Sequence, residues 1–100
     1  MPISVIGVGI KGMIVMINNK VQELSDNGRR INVKKIFSDY FQGDIKETMS
    51  RTMSSNLPHK IRGCLLSEKL YDIDFMLLLG MFRSRGIVLT FKPVCNLKRA

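Results

Sequence analysis

The sequence predicts an α/β fold, a two-layer sandwich in the order β-α-β-α-β-β with its helices packed on one small sheet. The first observation behind this is size. One hundred residues, 45% of them apolar, suit a single domain over 1–100 with one core. The second is the pair of short β-branched runs, Pro2-Ile-Ser-Val-Ile-Gly-Val8 and Gly86-Ile-Val-Leu-Thr-Phe91, each bounded by glycine. The third is the apolar spacing of three and four residues between them, which reads as helix.

In chain order, the first strand is 2–8, punctuated by Gly7, Gly9 and Gly12. A helix follows, because Ile10, Met13, Ile14, Ile17, Val21 and Leu24 fall on one helical face. Asn18, Asn19, Gln22 and Glu23 fall on the other, and Asp26-Asn-Gly28 supplies a left-handed cap. Ile31 to Phe37 alternates as a second strand, and 38–43 is a loop. From Asp44 a second helix repeats Ile45, Met49 and Met53, with Asp44 near its positive end and Pro58 barring continuation. Lys60 to Leu66 is a third strand and Gly86 to Phe91 a fourth. Between them, residues 67–85 suit either a buried helix or a long strand and hairpin.

Sixteen Lys and Arg against eight Asp and Glu leave a net charge of +8, which draws polyanions. Cys64 and Cys95 are too few and too far apart for a disulfide framework, and no C-x-x-C is present to hold zinc. They read as buried thiols in a reducing compartment, cytoplasmic or nuclear, rather than in a secreted protein. The apolar stretch 3–17 is interrupted by Lys11 and falls short of the roughly 20 residues of a membrane span. It reads as core.

Catalysis finds little support. His59 is the single histidine, in a turn after Pro58, and Ser50, Ser54 and Ser55 lack the partners of a triad. The expectation is a protein that is not an enzyme, with no catalytic residue, metal or cofactor. Gly7-Val-Gly9-Ile-Lys-Gly12 matches G-x-G-x-x-G, which keeps a nucleotide site at a strand-to-helix turn as one alternative.

The cations are spread as phosphate contacts would be. Lys11 lies at the first turn, Lys34 on the second strand, Arg62 on the third, and Arg83 and Arg85 precede the fourth. The strand, basic glycine turn, helix order resembles the Alba family of small chromatin and RNA-binding proteins. The resemblance rests on Val8-Gly-Ile-Lys-Gly-Met13, on Gln42-Gly43-Asp44-Ile45 and on Arg83-Ser-Arg-Gly-Ile-Val-Leu-Thr-Phe91. It implies a dimer that lays its loops on the nucleic-acid backbone, with Lys11 at a phosphate and an arm between the last two strands. Ile10 stands where the family has its first lysine, Gly12 where it has proline, and the arm carries the apolar run Phe75 to Leu79.

The expected function is DNA or RNA binding without sequence preference, by a homodimer. The expected contacts are Lys11, Gly9, Gly12, Gln42, Gly43, Lys34, Arg62, Arg83 and Arg85. A second alternative is a regulatory or viral interaction module that docks a protein partner through 70–82.

Overall fold

A computed structural model describes residues 3–25, 29–79 and 85–94. Five strands, β1 (Ser4–Gly9), β2 (Ile14–Ile17), β3 (His59–Leu66), β4 (Lys69–Leu79) and β5 (Arg85–Pro93), form one antiparallel sheet in the order β2-β1-β5-β4-β3. Its one α-helix among the described residues is α1 (Asp44–Ser55). Two short 3-10 helices, Asn19–Leu24 and Phe37–Asp39, precede it. All three helical pieces lie between β2 and β3 in the chain, and they supply the side chains that cover one face of the sheet.

Alternation along the strands builds the core. Ile6 and Val8 of β1, Tyr71, Ile73 and Phe75 of β4, and Ile87, Leu89 and Phe91 of β5 point to the covered face and are buried. They meet Val21, Leu24, Ile31, Phe37, Phe41, Ile45 and Met49 from the helical side. The Phe37 and Phe41 rings stack with centroids 4.7 Å apart, and Phe41 stacks on Phe91 at 5.7 Å. The space between sheet and helices is thus filled by aromatic rings.

Helix α1 begins after Gly43, whose φ of 66° suits a residue without a Cβ. Asp44 and Glu47 occupy its first turn, where negative charge is favoured. It ends at Asn56 in the left-handed region, with the Asn56 N–H donating to the Thr52 carbonyl at 3.0 Å. Ile45, Thr48, Met49 and Thr52 are its buried positions.

This architecture corrects the expected β-α-β-α-β-β sandwich at two places and decides a stretch that the sequence left open. The helix expected over 10–24 is a hairpin followed by a 3-10 helix. Gly12 N–H donates to Gly9 O at 2.9 Å, Gly9 N–H to Met13 O at 2.8 Å, and Gly12 has φ 83°. This is a three-residue hairpin loop closed by a left-handed glycine. A bulge then explains the misleading spacing. Ile6 pairs with Ile17 and Val8 with Ile14, so one extra residue in β2 sends Ile14 and Ile17 to the same face three positions apart. A spacing of three in a bulged strand imitates a helix.

The strand expected over 31–37 is instead a turn and a 3-10 helix. Lys34 has φ 70°, and Met13 and Ile36 form an isolated bridge. Lys34 N–H donates to Ile14 O and Ile14 N–H to Lys35 O, both at 2.7 Å, so this segment covers the free edge of β2. Finally, the open stretch 67–85 contains β4 as a long strand paired along β5, not a helix. Ser67 and Glu68, with φ 50° and 67°, make the tight turn from β3 into β4.

Candidate functional site

Among the described residues, a surface on each side of the sheet has the shape of a site. The first is a cleft of about 210 Å³ at the end of the core, lined by Leu24, Ser25, Arg29, Ile31, Tyr40, Phe41 and Leu66. Leu24, Ile31 and Phe41 lie buried beneath it, and most of its exposed lining is polar. Arg29 is the cation at its wall. The guanidinium lies 4.8 Å from the centre of the Tyr40 ring, and Nη1 donates to the Asp39 carbonyl at 3.1 Å. Ser25 Oγ donates to the Arg29 carbonyl, which ties the two walls together. Ile31 is held between both ends of the Gln22 amide, accepting from Nε2 at 2.8 Å and donating to Oε1 at 2.9 Å. A mostly polar lining beside one oriented guanidinium suits a small anion.

The second surface is the outer face of the sheet. The outward positions of its central strands are Gly7 and Gly9 on β1 and Gly86 and Val88 on β5, with Gly9 opposite Gly86 and Gly7 opposite Val88. Absent side chains leave a trough of about 470 Å³, walled by Val15 and Met16 on one side and Leu78 on the other. The apolar side chains there are open to solvent: Ile10 and Val15 are 60% exposed, Leu78 55%, Met76 54% and Met16 45%. Lys60 and Asp74 pair across β3 and β4, and Asp72 and Lys92 across β4 and β5, so the other end of this face is charged. Arg62 adds an ion pair to Asp72 at 3.8 Å.

The residues expected to meet phosphates do not gather. Lys11 and Gly12 form the β1–β2 turn, and Lys34 is brought near it because Phe37 N–H donates to Gly12 O at 2.8 Å. Arg62 stands on β3, the opposite edge of the sheet. Gln42 is exposed, with its amide donating to Ser38 O at 3.4 Å, and Gly43 is the N-cap of α1. Gly9 belongs to the trough, Arg85 opens β5, and Arg83 lies outside the described residues. The glycine fingerprint closes a hairpin and opens no helix, so it lacks the helix N-terminus that a pyrophosphate site needs. Among the described residues no three His, Cys, Asp or Glu side chains gather as metal ligands, and no helix is long and apolar enough to cross a membrane.

The sequence did carry a signal for the trough. Gly7 and Gly9 alternate with Ile6 and Val8, which marks one strand face as bare. The cleft had no such signal, because Arg29 and Tyr40 meet only through the turns between them. Two other groups are shifted by burial. It pushes the Cys64 thiol up, with Asp44 adding to the effect, and it raises the Tyr71 hydroxyl.

No protein-family model and no curated protein matches the chain. Solved structures do. The chain is similar to the PAS domain of the histidine kinase ThkA, at 17% identity and a TM-score of 0.74 over 92% of this chain and 99% of that one. It is also similar to a domain of an HTR-like protein from Haloarcula marismortui, at 10% identity and a TM-score of 0.70 over 95% of this chain and 100% of that one. A sensory box sensor histidine kinase from Vibrio cholerae aligns at 13% identity and a TM-score of 0.70, over 93% of this chain and 79% of that one. These neighbours overturn the Alba resemblance, and with it the nucleic-acid function, the DNA or RNA partner and the nucleotide and viral-module alternatives. The chain has the PAS fold.

Proposed function

We propose that the chain is a sensory module, a single non-catalytic domain that takes up a small ligand and passes its occupancy on to a signalling partner. The observation that carries this reading is the fold, since its PAS-domain neighbours include parts of sensor histidine kinases and the alignment spans nearly the whole chain. The cleft beside Arg29 supports it with a concrete input site. Its volume fits a ligand smaller than the drug-sized ones held by pockets of about 300–1,000 Å³. Its chemistry favours a small carboxylate, the carboxylate on Arg29 and a short aliphatic or aromatic body against the partly exposed Tyr40 and Leu66.

The test is thermal melting of the purified chain with acetate, butyrate and benzoate, for the wild type and for Arg29→Gln. A ligand that binds only the folded state raises the melting temperature by mass action. Butyrate or benzoate is expected to raise it in the wild type and much less in Arg29→Gln. Equal melting with and without every probe would remove the cleft as the input site.

A further inference from the structure

From the hairpin end of the sheet we infer a peripheral membrane contact, in which the β1–β2 tip and the 33–36 segment beside it bind the surface of a bilayer rich in anionic lipid. The contact is with the surface and spans nothing. It does not rest on ligand binding in the cleft.

Strand pairing assembles this end. Gly86 lies between Gly9 and Leu78, so the tip that follows Gly9, the start of β5 and the end of β4 share one end of the sheet. Met13 bridges to Ile36, and Phe37 N–H donates to Gly12 O, which fixes the 33–36 segment against the tip. Bridged residues point to the same side of a sheet, and Ile14, next to Met13, is buried. Met13 and Ile36 therefore face away from the core. Ile10, Met13, Val15 and Ile36 are all exposed large apolar side chains, and Val33 is a fifth. The tip projects into open space, since a Cβ on Gly12 would meet nothing within 4 Å.

Charge selects the occupant. Lys11, Lys34 and Lys35 are exposed among those apolar residues, and none of the ion pairs among the described residues includes them. The sequence has no Asp or Glu over 1–22, over 28–38, in β5 or over 75–79 of β4. Asp72 and Asp74 lie further along β4, away from this end. An exposed apolar centre with a basic rim and no acid is the pattern of an interfacial anchor. A bilayer meets both chemistries in the right order. Its anionic headgroups take the ammonium groups, while Ile10 and its neighbours reach the boundary of the acyl chains beneath. A polyanion without an apolar phase would attract the lysines and leave those side chains in water.

Co-sedimentation of the whole chain with vesicles tests it, comparing pure phosphatidylcholine with phosphatidylcholine holding about one-third phosphatidylglycerol. The chain is expected to bind the second and to stay in solution with the first. Lys11→Gln, Lys34→Gln and Lys35→Gln together should lower the partition coefficient on the order of a hundredfold. Lys46→Gln, Lys60→Gln and Lys92→Gln together remove the same charge from exposed positions elsewhere. They should lower it by no more than about fivefold, because salt screens charges far from the surface. Ile10→Ser should lower it at least about tenfold, and the shape-conserving Val15→Thr several-fold, neither changing the melting temperature. Failure to bind the anionic vesicles overturns the inference. Equal losses in the two lysine triples also overturn it, as does an Ile10→Ser chain that binds like the wild type, since either means attraction by bulk charge alone. A chain that ignores vesicles yet is still stabilised by benzoate would sink this inference alone and leave the sensory reading standing.

Discussion

A Cβ placed on Gly86 would lie 3.0 Å from the carbonyl oxygen of Val8, closer than real Cβ atoms normally come to any neighbour. Gly86 pairs with Gly9 at the end of the β1–β5 ladder, so this contact sets how tightly the two central strands run. Replacing Gly86 with Ala must push the strands apart, and we expect a loss of about 1–3 kcal/mol in urea unfolding. Gly9→Ala is the control. Its Cβ would sit 3.7 Å from Met13 O and Val15 Cγ1, an ordinary distance, and alanine is entropically better than glycine in a strand. Stability should rise by up to about 1 kcal/mol or stay level.

Thr52 and His59 link the last turn of α1 to the start of β3. The buried Thr52 hydroxyl donates to Thr48 O at 2.8 Å, which spends its one proton. Its oxygen must then accept from His59 Nδ1, 3.0 Å away, so the neutral ring carries its proton on Nδ1. Nitrogen-15 spectra of the imidazole at alkaline pH should show Nδ1 protonated and Nε2 bare. Thr52→Val keeps the shape but removes the acceptor, at an expected cost of about 1–2 kcal/mol in unfolding free energy. An Nε2-protonated ring with unchanged stability in Thr52→Val would contradict the link.

Asn18 ties β2 back to β1. Its Oδ1 accepts from Val5 N–H at 3.1 Å, and its Nδ2 donates to Ile3 O at 2.8 Å. Asn18→Asp keeps the first bond and turns the second into carboxylate against carbonyl oxygen. Asn18→Asp should therefore lose more stability than Asn18→Ala, itself costing about 1 kcal/mol, when both are compared by thermal unfolding at neutral pH. Equal losses would show that the Ile3 bond contributes nothing.

Cys64 gives the pH test. Burial holds its thiol above the ordinary value of 9.0, so folding favours the protonated form. The associated stability is full below that ordinary value and fades as pH climbs through the raised folded one. With Cys95→Ser to isolate the site, alkylation of Cys64 at pH 8 should be slower in the folded chain than in the urea-unfolded chain, and its midpoint should lie higher in pH. A midpoint at or below the unfolded one would contradict the burial of the thiol.

Single elements were legible where one periodicity dominated, but their arrangement was not. β1 and β5 are short β-branched runs, and α1 carries its apolar repeat between Gly43 and Pro58. What misled was local geometry that sequence spacing disguises. The bulge in β2 put Ile14 and Ile17 three apart on one face, and Gly12 closed a hairpin where a strand-to-helix turn was expected. The long β4 hid because Phe75 to Leu79 is apolar on both faces. Phe75 faces the core while Met76 and Leu78 face solvent, so the usual apolar-polar alternation is absent. On the outer face Leu78 forms one wall of the glycine trough. The phosphate site failed for a tertiary reason, because strand order sends Lys11 and Arg62 to opposite edges.

β1 lies between β2 and β5, which places three glycines on one bare face and the core on the other. Cross-strand proton contacts in a nuclear Overhauser spectrum of the labelled chain test that most directly. Contacts between the backbones of Ile6 and Ile17, and of Ile6 and Leu89, are the predicted result. Sequential amide contacts running unbroken from Met13 to Leu24, the mark of a continuous helix, would contradict the account.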